Sequence, residues 1–567
     1  MKGTWYRWPF VGTLLLAAVL LWLREVPPAR AQEAMAPTLV GEVFSTQGRP
    51  VEGATVTLLA DGRPNPAATA TTQADGRFVL PVGALSQGEV MVRVERPHYE
   101  EVTLALTPAQ VEALRLGQAV VLPRLTLARR WGPAFWAATL VFLLMLALIA
   151  TGRLHNTLAA LLGASLIFGI SYLGAPLDPD LFIFDFDRAV SYVDWNVIFL
   201  IMGMMIVIAV LERTGIFQWL AFAAYRISGG RAWLLLPILM VITGITSAFL
   251  DNVTTMLLMA PISVEIALAL SMDPLALLVP EVMASNVAGV STLVGTPTNI
   301  LIGSYGNIAF DDFLVNLTPG VILALVGLIL YSEFIYWREL RHSAQAAPLL
   351  VDKLAEHAHI TDPDALRKGG YVGVGMLILF VWGEHIHLLP AVTALIGATV
   401  LLVWIRPDIE EMIEAVDWTT LVFFMSLFIV IGAIQEVGLI DYLADVIGRV
   451  VGQHLIAAML MIMWSGAFLS ALVDNIPFTA AMLPIVGNLT AHIPGAGTKA
   501  LYYCLSVGSA MGGNGSLIGS SPNLVTAGIA ERAGYPITYM YFLKKGVPAV
   551  IITVALAGLW LVFHFGL

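Results

Sequence analysis

The sequence predicts a polytopic α-helical membrane protein made of two inverted repeats with re-entrant hairpins and broken helices, preceded by a small β-sandwich. Three observations carry this prediction. The chain of 567 residues is 58% hydrophobic and only 12% charged, where soluble chains carry about 25% charged residues. Runs of roughly 20 apolar residues, long enough to cross a bilayer, recur from Trp131 onward. The apolar body also repeats itself at an offset of 223 residues. The net charge of −11 comes without any basic stripe, so no nucleic-acid partner is expected. The single cysteine, Cys504, excludes an intrachain disulfide and offers no metal framework.

In chain order, Lys2 and Arg7 precede an apolar stretch from Pro9 to Leu23 and then Ala29-Arg30-Ala31. Residues 1–31 therefore read as a signal peptide or an uncleaved signal anchor, and either one exports the segment behind it. Residues 38–126 are polar, with short alternating runs of Val, Thr and Leu between Gly-, Pro- and Asp-rich turns. Asp75-Gly76 sits where a hairpin turn would join two strands. A β-sandwich of about seven strands is expected, with a ligand outside the cell as its possible partner. The pattern GEV…GRPVEGATVTL…ADGRFVL resembles the carboxypeptidase regulatory-like fold, which implies a fold and says little about function.

The membrane body begins at Trp131, with spans near 133–152, 155–174, 195–211, 317–336, 371–387, 389–405, 419–436 and 546–565. The pieces 232–270 and 454–493 are too long for one span and break at Asp251-Asn252 and Asp474-Asn475. The pieces 275–310 and 500–530 are apolar but interrupted by Gly, Pro and Asn. Asp194-Trp195, Gly215, Ser247-Ala248 and Asp251-Asn252 recur 223 residues later as Asp417-Trp418, Gly438, Ser470-Ala471 and Asp474-Asn475. STLVGTPTN from Ser291 lies against GSLIGSSPN from Gly515, at an offset of 224. The body thus divides into a first repeat, 131–337, a charged linker, 338–368, expected in the cytoplasm, and a second repeat, 369–567. With the sandwich outside, thirteen Lys and Arg fall in inner loops of the body and three in outer ones, with Arg129-Arg130 as the exception. That assignment places Asp194 outside and Asp417 inside, so the repeats are inverted, as in secondary transporters. It also places the body in the cell membrane with its β domain exported.

Each repeat offers two irregular elements. The hairpin tips supply Asp251, Asn252, Thr254 and Thr255 in the first, and Asp474, Asn475 and Thr479 in the second. The broken segments supply Thr292, Gly295, Thr296, Thr298 and Asn299, and Asn514, Ser516, Gly519, Ser520, Ser521 and Asn523. Glycines there allow unusual backbone angles, and Pro297 and Pro522 cannot donate to a helix ladder. Non-helical backbone at membrane depth survives only where protein or a watery cavity satisfies it. Half-helix N-termini favour anions, while freed carbonyls with Asp, Asn and Thr oxygens suit sodium. A carboxylate inside a bilayer costs about 3 kcal/mol on insertion scales, which a bound cation or a proton relieves. The bland alternative is a hydrogen-bonded tip that only stabilises the turn. Glu281, inside the broken segment of the first repeat alone, is a candidate proton relay, or else a locally paired acid.

SAFLDNVTTMLLMAP, SNVAGVSTLVGTPTN, SALVDNIPFTAAMLP and GGNGSLIGSSPN resemble the ion transporter superfamily, in its citrate transporter-like group. That group takes in the melanosomal P protein, the arsenite permease membrane subunit and bacterial sodium/proton antiporters, with dicarboxylate/sodium symporters as more distant relatives. The resemblance spans 131–567 and implies an elevator-type carrier, dimeric, with the tips and breaks as its site. The dicarboxylate symporters carry Ser-Asn-Thr at each tip, where this chain has Asp251-Asn252-Val253 and Asp474-Asn475-Ile476. That departure removes hydroxyls, adds two charges and favours cation or proton chemistry over a multivalent carboxylate.

The first function expected is therefore a secondary active ion transporter, a sodium/proton antiporter, with sodium or a proton as coupling ion, no further cofactor and a small inorganic ion as substrate. Arsenite, another anion or a carboxylate is the alternative substrate. An anion channel in the same shell, or a membrane sensor read through the sandwich, are the rivals from other classes. No Walker A loop and no catalytic Ser-His-Asp or Cys-His arrangement points to an enzyme. His385-Ile386-His387 lacks a third spaced ligand for zinc. The segments 216–226 and 439–449 are amphipathic and are expected at the interface.

Overall fold

The computed structural model describes residues 37–566 apart from 47, 61–62, 84–88 and 342–358. The segment 1–31 and most of the linker 338–368 lie outside the described residues. The chain divides into two compact units that meet in sequence at Arg130 and Trp131.

The first unit has strands β1 (Thr38–Ser45), β2 (Thr55–Ala60), β3 (Arg63–Thr71), β4 (Arg77–Pro81), β5 (Val90–Glu95) and β6 (Val102–Ala105), a helix α1 (Pro108–Arg115), then β7 (Val120–Val121) and β8 (Leu125–Leu127). One sheet runs β4-β1-β7 with β8 also paired to β1, and the other runs β3-β2-β5-β6. Alternation in β1 and β5 turns Leu39, Val43, Val90, Val92 and Val94 into a core with Phe78, Leu80 and Leu58. Two details differ from expectation. Asp75-Gly76 does form a turn, with Gly76 at φ 77°, but β3 and β4 belong to different sheets, so it crosses the sandwich and closes no hairpin. Helix α1 interrupts a stretch expected to hold only strands and turns; Thr107 caps it through a reciprocal box with Gln110, and Pro108 takes its first turn.

The second unit is helical throughout. Its first half comprises α2 (Pro133–Thr151), α3 (Asn156–Gly169, continued by a π turn to Gly174), α4 (Phe186–Ser191), α5 (Trp195–Glu212), α6 (Ile216–Ser228), α7 (Ala232–Phe249), α8 (Asn252–Ala269), α9 (Leu275–Ala288), α10 (Pro297–Gly306), α11 (Phe310–Ile335) and α12 (Trp337–Arg341). Its second half comprises α13 (Pro363–Trp382), α14 (Pro390–Ile405), α15 (Ile409–Glu414), α16 (Trp418–Glu436), α17 (Leu439–Val451), α18 (Leu455–Ser470), α19 (Asn475–His492), α20 (Ala500–Gly512), α21 (Ser521–Arg532) and α22 (Tyr539–Gly566). Among the described residues nine helices are long and apolar enough to cross a membrane. Helices α5 to α8 and α16 to α19 start at equivalent residues, Trp195 with Trp418, Ile216 with Leu439, Ala232 with Leu455 and Asn252 with Asn475. Three helices start earlier than their apolar cores: α11 at Phe310, α13 at Pro363 and α22 at Tyr539. Helix α13 therefore begins inside the stretch read as linker, because Asp362 caps it and Pro363 fits its first turn.

Side-chain bonds fix the inversion. Arg188 and Tyr192, just before α5, reach Glu436 at the end of α16. Arg213, just after α5, pairs with Glu411 just before α16. The equivalent helices α5 and α16 therefore run antiparallel. Helices α11 and α22 do the same, with the Tyr336 and Tyr541 hydroxyls 3.0 Å apart at one end and Trp560 Nε1 donating to the Asn316 carbonyl at 2.7 Å at the other. Both hairpins are re-entrant. In the first, α12 packs on α7, and burial, then Tyr541, then the charge of Asp273 just past α8 push the Tyr336 hydroxyl up. Both hairpin ends thus emerge beside the end of α11. In the second, Ile456 at the start of α18 packs on Gly566, while Lys499, past α19, donates to the Gly306 carbonyl at 2.7 Å.

Packing sorts the helices into two bundles. Helices α2, α3, α5, α13, α14 and α16 pack on one another, with α5 against α14 and α3 against α16. Helices α7 to α11 and α18 to α22 form the other bundle, and α6 and α17 follow α5 and α16 to join the two in sequence. Each half helix packs on the hairpin of the other half, α10 on α19 and α21 on α8.

Candidate functional site

The site forms where two hairpin tips and two helix breaks meet inside the second bundle. At the first tip, Leu250 is extended, and Asp251 caps α8 by accepting from the backbone N–H of Val253 at 2.8 Å and of Thr254 at 3.0 Å. The Thr254 hydroxyl donates to the other carboxylate oxygen. The same sequence logic places Asp474 as cap of α19, accepting from Ile476 N at 3.1 Å. A short acceptor before a helix is a standard N-cap, so the Asp-Asn pair is in part a helix start. It lies at the tip of each hairpin, between two apolar helices.

The breaks follow from glycine and proline. A Cβ on Gly295 would stand 2.6 Å from the Gly289 carbonyl oxygen, and one on Gly519 would stand 2.8 Å from both the Gly513 and Ser470 oxygens. Only glycine lets the unwound chain fold back so closely. Asn299 and Asn523 then staple each break. Asn299 Nδ2 donates to the carbonyls of Val290 and Thr292 at 2.9 and 2.7 Å, and Asn523 Nδ2 donates to those of Gly513 and Ser516, both at 2.9 Å. The hydroxyls of Thr292 and Ser516 donate to Ala248 and Ala471 carbonyls, tying each break to the hairpin before it. Thr255 and Thr479 donate to the carbonyls of Asp251 and Asn475, one turn back in their own helices. Thr296 and Thr298 share a bond of 3.1 Å. The hydroxyls of Thr255, Thr292, Thr479 and Ser516 are thus engaged as donors, as is one of the Thr296 and Thr298 pair, with lone pairs left to accept or to ligate.

The two halves are joined by a residue that the sequence reading does not single out. Asn286, buried on α9, accepts from Asn252 Nδ2 at 2.9 Å and from Ser520 Oγ at 3.2 Å. It donates to Asn514 Oδ1 at 2.8 Å and to Asn523 Oδ1 at 3.0 Å. Asn514 in turn donates to the Met283 carbonyl at 3.1 Å, and Ser506 donates to Asn299 Oδ1. Asn475 is buried. The one available signal is an Asn beside Ser285 in a helix that is otherwise apolar apart from Glu281. Because it has no counterpart in the second half, where Ala510 stands, the repeat pattern does not reveal it.

The two aspartates face one region. Asp474 accepts from Ser521 Oγ at 3.0 Å and from Asn156 Nδ2 at 3.4 Å, at the start of α3. Asp251 lies within electrostatic reach of Asp417, the cap of α16. Thr157 donates to the Thr419 carbonyl at 2.9 Å, so the starts of α3 and α16 adjoin. Both carboxylates therefore border the junction between the bundles at the end that Lys and Arg placement puts inside. Asn156 and Asp417 also escape a reading of the sequence, since they look like ordinary helix caps. Both half helices begin without a side-chain cap, at Thr296 and Ser520; Pro297 and Pro522 bring no N–H and those of Asn299 and Asn523 turn back to the Thr296 and Ser520 carbonyls, so Thr298 and Ser521 carry the remaining first-turn N–H groups. His387 lines a separate cavity of about 570 Å³ with Asn196, Ser304, Asn307 and Phe380. Among the described residues no three His, Cys, Asp or Glu side chains cluster as metal ligands.

The family described as Citrate transporter matches residues 145–508, and the Carboxypeptidase regulatory-like domain matches residues 38–119. An uncharacterized transporter of Mycobacterium bovis is 35% identical over 425 residues, which is 75% of this chain and 97% of that protein. The P protein of Homo sapiens is 31% identical over 497 residues, covering 73% of this chain and 58% of its own length. The solved structure of MtrF from Neisseria gonorrhoeae, from a class described as antimetabolite efflux pumps, aligns with a TM-score of 0.50 at 10% identity, over 76% of this chain and 95% of that one. At that identity the likeness speaks for the fold alone.

Proposed function

Starting from a chain that belongs to the citrate transporter family and is a multi-pass membrane transporter, we propose that it exchanges a small cation, sodium first among them, for protons. Asp251 and Asp474 hold the ion, and the Asn252, Asn286, Asn514 and Asn523 junction shapes the site between them. The observation that carries this reading is the pair of carboxylates. Both cap hairpin tips between apolar helices, both border one junction, and neither forms an ion pair with a basic side chain among the described residues. A carboxylate enclosed by apolar helices without a basic partner needs a cation or a proton. Each can displace the other, which is the requirement for exchange. The division into two bundles, with the site wholly on one and facing the other, supports an elevator cycle in which α7–α11 and α18–α22 move as a body. A homodimer in the cell membrane with the sandwich exported completes the proposal.

A second reading draws on the uncapped starts of α10 and α21. Their N–H groups and dipoles favour a small oxyanion or carboxylate, carried with the cation. The test is flux in liposomes holding the purified chain, with sodium, lithium, arsenite, chloride and citrate each offered with and without a pH gradient. Sodium flux that drives proton flux, and is lost in Asp251→Asn and Asp474→Asn while melting temperature is kept, is the expected result. Citrate uptake in the absence of any sodium-driven proton flux favours the second reading. Unsaturable current at channel rates removes both.

A further inference from the structure

A buried polar cluster stands apart from the aspartate tips. Glu281 lies on α9 with no exposed surface, and Thr243 of α7 and Ser263 of α8 lie against it, equally enclosed. Thr243 Oγ1 donates to Glu281 Oε1 at 2.8 Å. The other carboxyl oxygen, Oε2, and Ser263 Oγ both lack a hydrogen-bond partner, although the Ser263 hydroxyl is close enough to act on the carboxyl. Among the described residues Thr243 is the one side chain with a hydrogen bond to it. Helix α7 carries no titratable residue, and Glu265, the one acid on α8, is exposed. No lysine, arginine or histidine among the described residues pairs with Glu281.

The duplicated half supplies an internal control. One turn away, Ser247 donates to the Ser285 carbonyl at 2.9 Å, and the second half repeats this contact with Ser470 and the Ser509 carbonyl. At the same offsets, the places of Thr243, Ser263 and Glu281 are taken by Gly466, Val486 and Leu505. Val486 and Leu505 are fully buried. The same hairpin is thus built without the polar trio, so the trio is not there to hold the hairpin together. An ionised carboxylate enclosed without a cation is too costly to persist, and two orphan oxygens facing each other share what one hydrogen would satisfy.

We propose that Glu281, with Ser263 and Thr243, is a proton-binding site of the first hairpin only. The proton sits on Oε2 and is donated toward Ser263 Oγ, while Oε1 accepts from Thr243. The Ser247 and Ser285 hydroxyls, 3.0 Å apart on the same two helices, and the Asn252 carbonyl, 3.5 Å from Ser285 Oγ, continue this polar seam toward the junction. The site goes beyond the aspartate-centred exchange proposed above and does not require it.

The test is infrared difference spectroscopy of the full chain in liposomes, titrated from acid to alkaline pH. The wild type is expected to keep a protonated carboxylic-acid band at neutral pH. Asp251→Asn keeps that band and Glu281→Gln loses it. Glu281→Leu, which copies the second half, loses the band and melts no lower than the wild type. An unchanged band in Glu281→Gln overturns the proposal. So does bleaching of the band when sodium replaces choline at fixed pH, because the group bound is then a cation. The readout uses no transport, so a chain that moves no sodium still tests Glu281, and a chain lacking the Glu281 band still tests the aspartates.

Discussion

The two hairpins start from the same Asp-Asn pair and end up tied differently. Asp251 spends its bonds on its own helix start and on Thr254, and faces the negative cap Asp417. Asp474 gives one oxygen to its helix and shares the other between Ser521 of the adjoining break and Asn156 of the facing bundle. The first half alone also holds Asn286 and Glu281, where the second has Ala510 and Leu505. A duplicated fold therefore carries an unduplicated interior. Shared positions build the hairpins and breaks, while the unshared ones give each half its own chemistry.

The largest effect is expected where that asymmetry is greatest. Asn286 joins four side chains of both halves, and Asn286→Ala strands several buried groups, each at about 1–3 kcal/mol. Melting temperature in detergent should fall steeply and transport should drop to background. Ala510→Gly, at the equivalent place, should cost about 1 kcal/mol through helix propensity alone and leave transport measurable. Equal losses at both positions would show that the junction is symmetric in energy and that the contrast is only one of residue type.

This asymmetry also explains how much of the molecule is legible in its sequence. The repeats, the inversion and the Asp251 and Asp474 tips can be read because charge placement, apolar periodicity and duplication leave marks in sequence. The turn topology of the β domain and its helix α1 cannot, because Asp75-Gly76 turns look alike within and between sheets, and the Thr107 capping box lies in a short polar stretch. Asn286, Asn156 and Asp417 are equally hidden. Their partners lie more than a hundred residues away or in the other half, and the one repeat mark among them, Asp417 with Asp194, points to a helix start and not to the site. The early starts of α11, α13 and α22 escape because their first turns are polar and hydropathy does not see them.

A second contrast lies at the two ends of the first bundle. Arg213 and Glu436 occupy equivalent places after α5 and at the end of α16, and Arg188 and Glu411 are equivalent in α4 and α15. The two ion pairs are thus the same contact with the charges exchanged. They differ in burial: the Glu436 side chain is 5% exposed, whereas Arg213 and Glu411 are 48% and 55% exposed. Breaking a fully buried pair costs about 3–5 kcal/mol and an exposed one about 0–1 kcal/mol; the Arg188 side chain is 34% exposed, so its pair lies between the two. Glu436→Gln should destabilise strongly, moderated because Tyr192 still donates, and Glu411→Gln should be nearly silent in thermal melts. High salt should weaken the Arg213 pair and leave the Arg188 pair intact.

The smallest contrast concerns the caps of α5 and α16. Asp194 accepts from two backbone N–H groups, of Asn196 and Val197. Asp417 accepts from the Thr420 N–H and also from the hydroxyls of Thr419 and Thr420. Asp194→Ala should cost about 1 kcal/mol for a lost cap, and Asp417→Ala about 1 kcal/mol more, since two hydroxyls also lose their acceptor. Burial works against the Asp417 charge, but those bonds win and hold its carboxyl below the usual range. A carboxylate lowered by folding stabilises at every pH above its unfolded value, and that contribution fades as pH falls through the folded one. Acid melts should therefore show a small loss of stability in the wild type, reduced when Thr419→Val and Thr420→Val remove the hydroxyls, and absent in Asp417→Asn, which keeps a cap without a charge. If all three melt alike in acid, the hydroxyls contribute nothing to the α16 cap, and the two helix starts differ in sequence but not in energy.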